Sequence, residues 1–310
     1  MKNTPKVSLK LWIKGFFISL ARNRLIAGLF PFKQPSILLL SYPRSGSSWL
    51  GMILATSDGV AYLREPVTQP YMGKYHGKFA LLQLDQDRQV FPIYHMLAED
   101  AFQGRPPVYP YVVNRLSDFH ITRRKSRQVL VKEVNPHAVK FYVENFHPKV
   151  ILLIRHPAAV ALSFHQLGWL ESTDVQMDHE KGLSNAWQKF AYTYGTVLQN
   201  TLEYLKEKQN FEVAIYEAFA SDPHNEFIRL FQTLGIKPPI NYDEVINKYC
   251  FSSKESNHKG EVMRTSMNMI DKWKSELTEE QVADIKHGFC ESRLEYYRNA
   301  SDWLIAKESI

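Results

Sequence analysis

Three short apolar runs constrain the fold more than anything else in the chain: residues 36–41 (SILLLS), 129–134 (VLVKEV) and 150–154 (VILLI). A strand with one wet face alternates apolar and polar residues. A run that is mostly apolar must be covered on both faces, as in a parallel sheet. A fourth run, 212–216 (EVAIY), fits the same role. Helical spacing predicts helices between the runs, over 47–56, from Pro157 onward, over 185–208 and over 223–234, where Gly235 stops the last. A terminal helix is expected over 278–297, with Thr278 as N-cap and Gln281 completing a capping box. Strands alternating with helices imply an α/β class with a mainly parallel central sheet, flanking helices and right-handed crossovers. Residues 60–128 carry prolines at 66, 70, 92, 106, 107 and 110 and read as an irregular insert over the active site; 250–268 read as a polar loop. The 310 residues show no internal repeat or Gly/Ser linker, so one domain over 36–310 is expected behind a leader over 1–35.

The net charge of +6 suggests a nucleic-acid or membrane partner until its distribution is read. Residues 1–35 hold seven of the 38 basic side chains and no Asp or Glu. The other 275 residues carry 31 basic and 32 acidic groups, so the body is balanced and offers no broad nucleic-acid face. In the leader, Leu9, Trp12, Ile13, Phe16, Phe17 and Leu20 recur at helical spacing, with Lys6, Lys10 and Lys14 on another side. This is an amphipathic basic helix, too short in its uncharged stretches to span a bilayer. It suits docking on the domain or a partner, or peripheral membrane contact through residues 6–30. The two cysteines, Cys250 and Cys290, are too few for a disulfide framework, and a reduced cytoplasmic protein is the simpler expectation.

Between the first apolar run and its helix lies Tyr42-Pro43-Arg44-Ser45-Gly46-Ser47-Ser48-Trp49. The start of a helix offers free N–H groups and the positive end of its dipole, so it binds anions. Gly46 admits close backbone approach, Ser45, Ser47 and Ser48 add hydroxyls, and Arg44 adds a fixed charge. This is not a Walker loop: registered on Gly46, the pattern finds Ser41 where Gly is needed and Ser47 where Lys is needed. A second anion arm follows the third run, where Arg155-His156-Pro157 leads into a helix bearing Ser163. Both arms fall at carboxyl ends of strands, where open α/β sheets bind ligands.

Together these segments resemble the sulfotransferases that use 3′-phosphoadenosine 5′-phosphosulfate (PAPS), whose fold is P-loop-like. The resemblance implies that Arg44, Ser45, Gly46, Ser47 and Ser48 hold the 5′-phosphosulfate. It also implies that Trp49 stacks near the adenine, the alternative being a core tryptophan. RHPAAVALS is similar to the family's 3′-phosphate motif, with Arg155 and Ser163 as ligands; His156 stands where most members have Asp. Tyr216 matches an adenine-side residue. His258-Lys259-Gly260 resembles a C-terminal Arg-Lys-Gly closing over the 3′-phosphate, with Lys259 and Gly260 retained and Arg264 as a further donor.

Sulfuryl transfer between two nucleophiles demands positioning and stabilisation of the leaving phosphate. The sequence has no His or carboxylate cluster at metal-ligand spacing, so Arg44 is expected to supply the leaving-group cation, with Lys132 as a second unless it serves an ordinary ion pair. A hydroxyl or amine acceptor also needs a base. Members acting on phenols and steroids use a His two residues after the lysine, where this chain has Val134. Carbohydrate-type members have instead a carboxylate in a segment resembling Leu63-Arg64-Glu65-Pro66, which makes Glu65 the first candidate, the alternative being a salt bridge with Arg64 or another cation, and Glu133 and His137 the others. The expectation is a PAPS-dependent transferase, closer to the carbohydrate type, acting on a carbohydrate-like or small-molecule acceptor. A nucleotide-dependent kinase with an atypical phosphate loop, or a non-catalytic module that binds the product nucleotide PAP, are the alternatives.

Overall fold

A computed structural model describes residues 19, 22–73, 91–107, 109, 111–171, 182–251 and 267–304 of the chain. Most of the basic leader and the loop carrying His258, Lys259, Gly260 and Arg264 lie outside the described residues.

The chain runs from α1 (Arg24–Leu29) through β1 (Lys33–Ser41), α2 (Ser47–Leu54), β2 (Val60–Arg64), the single turn α3 (Thr68–Tyr71) and α4 (Phe91–Phe102) to β3 (Gln128–Glu133). It continues as α5 (Val139–Phe146), β4 (Lys149–Ile154), α6 (Pro157–Gln166), α7 (Ala186–Lys208), β5 (Phe211–Ile215), α8 (Tyr216–Ser221) and α9 (Pro223–Leu234). It closes with α10 (Tyr242–Ile246), α11 (Lys272–Glu276) and α12 (Glu279–Glu291). The strands form one sheet in the order β2-β3-β1-β4-β5, and every pair is parallel.

The apolar runs behave as two-faced strands should. Ile37 and Leu39 join Leu130, Ile151 and Leu153 in a core with α2, α8, α9 and α10. Leu38 and Leu40 turn to the opposite core, with Val131, Leu152 and residues of α4 to α7 and α12. Each fully buried Leu or Ile contributes roughly 1.5–3 kcal/mol, so a one-residue slip of β1, which would swap its faces, is strongly disfavoured.

The structure departs from the sequence expectation in a few places. β2 lies inside the insert read as irregular, where its parallel register with β3 carries it. Tyr216, expected to end a strand, opens α8. The last helix starts at Thr278 with both capping-box bonds formed but stops at Glu291, short of Tyr297, because Arg293 takes a φ of 66°. Leaving the helix there brings the Tyr297 hydroxyl onto the Glu217 carboxylate at 2.5 Å. At the amino end β1 begins at Lys33, and Phe32 is already packed, with the Arg124 guanidinium over its ring.

Candidate active site

All five strands end on the same edge, and that edge opens into a cavity of about 950 Å³. Of the sequence candidates, Arg44, Gly46, Ser47, Ser48, Trp49, Glu65, Lys132, Arg155, Ser163 and Tyr216 all line it. Ser45 is fully buried beneath the loop and does not. Glu133 and His137 also lie away from the wall.

The loop after β1 is shaped for an anion. Gly46 has a φ of 94°, and a Cβ there would sit 2.6 Å from the Tyr216 ring. No side chain caps α2; the Trp49 N–H turns back to the Gly46 carbonyl at 3.0 Å, and the Ser47 and Ser48 amides at the helix start are left for a ligand. Ser41 donates to Ser47 at 2.7 Å, which fixes the hydroxyl at the helix start. Arg44 holds a φ of 68° and donates from Nε to the Ser163 hydroxyl at 2.9 Å. The two arms read separately in the sequence are thus joined by a direct hydrogen bond.

Arg155 is 8 % exposed and is held by its surroundings. Its guanidinium lies 4.2 Å from the Tyr216 ring centroid. It donates to the carbonyl of Arg44 at 3.2 Å and to that of Met269 at 3.0 Å. Its Nε is buried with no partner among the described residues, which leaves a fixed donor for a bound anion. His156, next in the chain, caps α6: its Nδ1 accepts from the Ala158 N–H at 3.2 Å, and its ring stacks on Trp273 at 4.5 Å. The replacement of the more usual Asp therefore preserves the cap and adds a stacking contact. Burial drives the imidazole pKa down to about 3, so it stays neutral and keeps its acceptor nitrogen. Trp49 is a hybrid of the two sequence expectations: it lines the cavity, yet it is 4 % exposed and donates to the Tyr249 carbonyl at 3.0 Å.

At the other end of the opening, Glu65 follows β2 with a φ of 49°. Its carboxylate is ion-paired with Lys132 and accepts from Gln69 at 3.1 Å, and its N–H donates to the Lys132 carbonyl at 2.6 Å. Burial raises the Glu65 pKa, but the charge and hydrogen bond of Lys132 outweigh it and leave the carboxyl below the usual range. Burial moves Lys132 in the downward direction against the pull of Glu65. Glu133 faces the other side of β3, where it accepts from the N–H of Val67 at 2.7 Å and the hydroxyl of Thr68 at 2.5 Å. Burial raises its pKa to about 7, but its oxygens are committed to α3. Burial lowers the pKa of His137. Gln69, Tyr109, Gln166, Trp169 and Lys272 also line the cavity and carry no local motif that would single them out in sequence. Among the described residues no group of His, Cys, Asp and Glu is placed to hold a metal ion.

A comparison with curated proteins finds no match. Among solved structures, a sulfotransferase domain from the curacin biosynthetic pathway is 17 % identical, covers 81 % of this chain and 96 % of its own, and superposes with a TM-score of 0.51, showing a shared fold. A sulfotransferase domain from a Synechococcus olefin synthase is 19 % identical over 83 % of this chain and 94 % of its own, with a TM-score of 0.47. A mouse sulfotransferase complexed with PAP is 15 % identical over 88 % of this chain and 90 % of its own, also at 0.47. With the sheet, the loop after β1 and the arm after β4 in place, the match of residues 34–300 to the family model described as the sulfotransferase domain settles the family: the chain belongs to the sulfotransferases.

Proposed function

We propose that the protein transfers a sulfuryl group from PAPS to a hydroxyl or amine of a carbohydrate-like or small-molecule acceptor. The observation that carries this reading is the meeting of both anion arms and the Glu65–Lys132 pair in one cavity. The donor supplies an activated sulfuryl group on a phosphate leaving group. Its phosphates match the α2 amides, Arg44 and the vacant Nε of Arg155. Tyr216 and Trp49, 5.3 Å apart between ring centroids, form an aromatic wall suited to adenine.

Within this reading Glu65 is the base. It lines the cavity where Glu133 and His137 do not, and it is ionised at neutral pH; while Lys132 holds it the carboxylate is a weak acceptor, so it takes the proton as Lys132 turns to the transferring group. Lys132, held against Glu65, stabilises charge on the transferring group. Lys259 and Gly260 remain proposed closers of the 3′-phosphate site by the resemblance alone.

The test is binding and turnover with labelled PAPS across sugars, lipids and small alcohols. PAP should bind, and Arg155→Ala should weaken it at least roughly tenfold, the loss of a charged hydrogen-bond donor. Unchanged PAP affinity in that variant overturns the donor assignment, and turnover that needs ATP and magnesium instead supports a kinase. Glu65→Gln should lower kcat roughly 10²–10⁴-fold with PAP affinity retained.

A second element of the proposal concerns the leader. Leu25 and Leu29 of α1 are 80 % and 71 % exposed beside Arg22 and Arg24, a surface that fits an anionic membrane interface.

A further inference from the structure

The sheet order divides the cavity. Arg44, Arg155, Ser163 and Tyr216 follow β1, β4 and β5 on one side, while Lys132, Arg64 and Glu65 belong to β3 and β2 on the other. Arg64 pairs with Lys132 across the β2–β3 ladder, so their side chains share a face. Neighbouring strands lie about 4.8 Å apart, which puts the Arg64 backbone about 10 Å from the end of β1, beyond Lys132. That is the half of the cavity left for the acceptor once the nucleotide occupies the other.

The cations of the wall differ in how they are satisfied. Lys132 is paired with Glu65, Lys272 with Glu276 at 3.2 Å, Arg155 bonds two carbonyls and Arg44 bonds Ser163. Arg64 is different. Its backbone N–H donates to the Val112 carbonyl at 2.9 Å, but its half-buried guanidinium makes no hydrogen bond or ion pair among the described residues. Its Nε is buried without a partner. The neighbouring carboxylate, Glu65, is committed to Lys132 and Gln69. Arg64 and Lys132 thus share the charge of one carboxylate, and a partly desolvated guanidinium with an unpartnered donor is costly unless a ligand provides the partner.

We propose that the acceptor carries an oxyanion, a carboxylate, sulfate ester or phosphate ester, that Arg64 holds next to the group receiving the sulfuryl. This rests on the sulfotransfer reading above and narrows its acceptor class. The guanidinium fork matches such oxyanions with paired donors. A wholly neutral acceptor would leave Arg64 and Lys132 sharing one carboxylate and the guanidinium without an anionic partner of its own. Arg64 is then a specificity-determining residue, set beside the proposed base Glu65 by the chain itself.

The experiment uses matched ligands on the PAP-loaded protein: a sugar acid, a sugar sulfate and a sugar phosphate, each against its neutral parent, and hydroxybenzoate against hydroxybenzamide. Binding is followed by calorimetry, with intrinsic tryptophan fluorescence as a second readout because Trp49, Trp169 and Trp273 line the cavity. The anionic member of at least one pair should bind roughly tenfold or more tightly. Arg64→Gln should abolish that preference and Arg64→Lys should restore part of it, a split that a purely structural role would not produce. The responding pair identifies the oxyanion. No preference in any pair, or a preference that survives Arg64→Gln, overturns the proposal. PAP affinity is measured alongside: failure of PAP to bind the unmodified protein sinks the donor reading itself, whatever the pairs show.

Discussion

Single residues here do work that their chemistry alone would not require. Gly46 is needed for two reasons at once, its φ of 94° and the Tyr216 ring that a Cβ would meet at 2.6 Å. Gly46→Ala must therefore either reshape the loop or push Tyr216 off the Arg155 guanidinium. The expected outcome is a loss of about 1–3 kcal/mol in stability, by chemical denaturation, together with at least tenfold weaker PAP binding. PAP affinity equal to that of the unmodified protein would show that the loop does not contact the nucleotide. His156 gives a pH signature. Its folded pKa of about 3 lies below the ordinary value of 6.5, so the unfolded chain binds the proton first. Its contribution is complete above pH 6.5 and is lost as pH falls toward 3, at about 1.4 kcal/mol per pH unit. His156→Asn keeps an N-cap acceptor but cannot titrate. Its stability should depend less steeply on pH between 6 and 4, and an identical slope would refute the assignment.

At the scale of elements, legibility followed burial. The runs at 36–41 and 150–154 announced β1 and β4 because both faces of each strand are covered, and the first-turn prolines 157 and 223 marked helix starts correctly. β2 was hidden because it is five residues long, ends in Arg64 and borrows its register from β3. The site divided the same way. The loop and Arg155 were legible because one contiguous segment carries each. Arg64, Gln69, Gln166 and Trp169 were not, since only the sheet order and the packing of α6 bring them to one wall. The carboxyl-terminal segment after α12 was also unreadable, because its course is set by a remote contact. There, Tyr297 donates to Glu217, whose other oxygen accepts from the His156 N–H at 3.0 Å, so the last segment braces the turn that presents Arg155. Tyr297→Phe removes one donor from a carboxylate whose burial already raises its pKa. The change should cost about 1–3 kcal/mol of stability. It should also weaken PAP severalfold while leaving the Glu65–Lys132 half of the cavity unaffected. Stability lost with PAP affinity intact would mean that the brace supports the fold alone.

For the whole molecule, charge and shape point to different tasks. The body is balanced, with 31 basic and 32 acidic groups, and places a few cations at the cavity, whereas residues 1–35 hold seven basic groups and no acid. The junction between the two is built into the fold. Ala27 is buried, the Arg124 Nε donates to the Phe30 carbonyl at 2.8 Å, and Phe32 lies in the core, while Leu25 and Leu29 stay outside. A truncation that tests the leader must therefore stop at residue 21, because removing Phe32 and the start of β1 would test folding instead. Each Lys near an anionic bilayer contributes about 1 kcal/mol, and the deleted segment contains four, Lys2, Lys6, Lys10 and Lys14. The full chain should sediment with vesicles containing phosphatidylserine and not with neutral ones, and raised salt should release it. Removing residues 1–21 should cut the binding at least tenfold, and Leu25→Ser with Leu29→Ser should reduce it further. PAP affinity should hold in the Leu25→Ser, Leu29→Ser variant, since neither residue lines the cavity. Vesicle binding that persists unchanged after truncation would remove residues 1–21 from the contact, and binding that also survives Leu25→Ser with Leu29→Ser would overturn the membrane reading of the leader and α1 together.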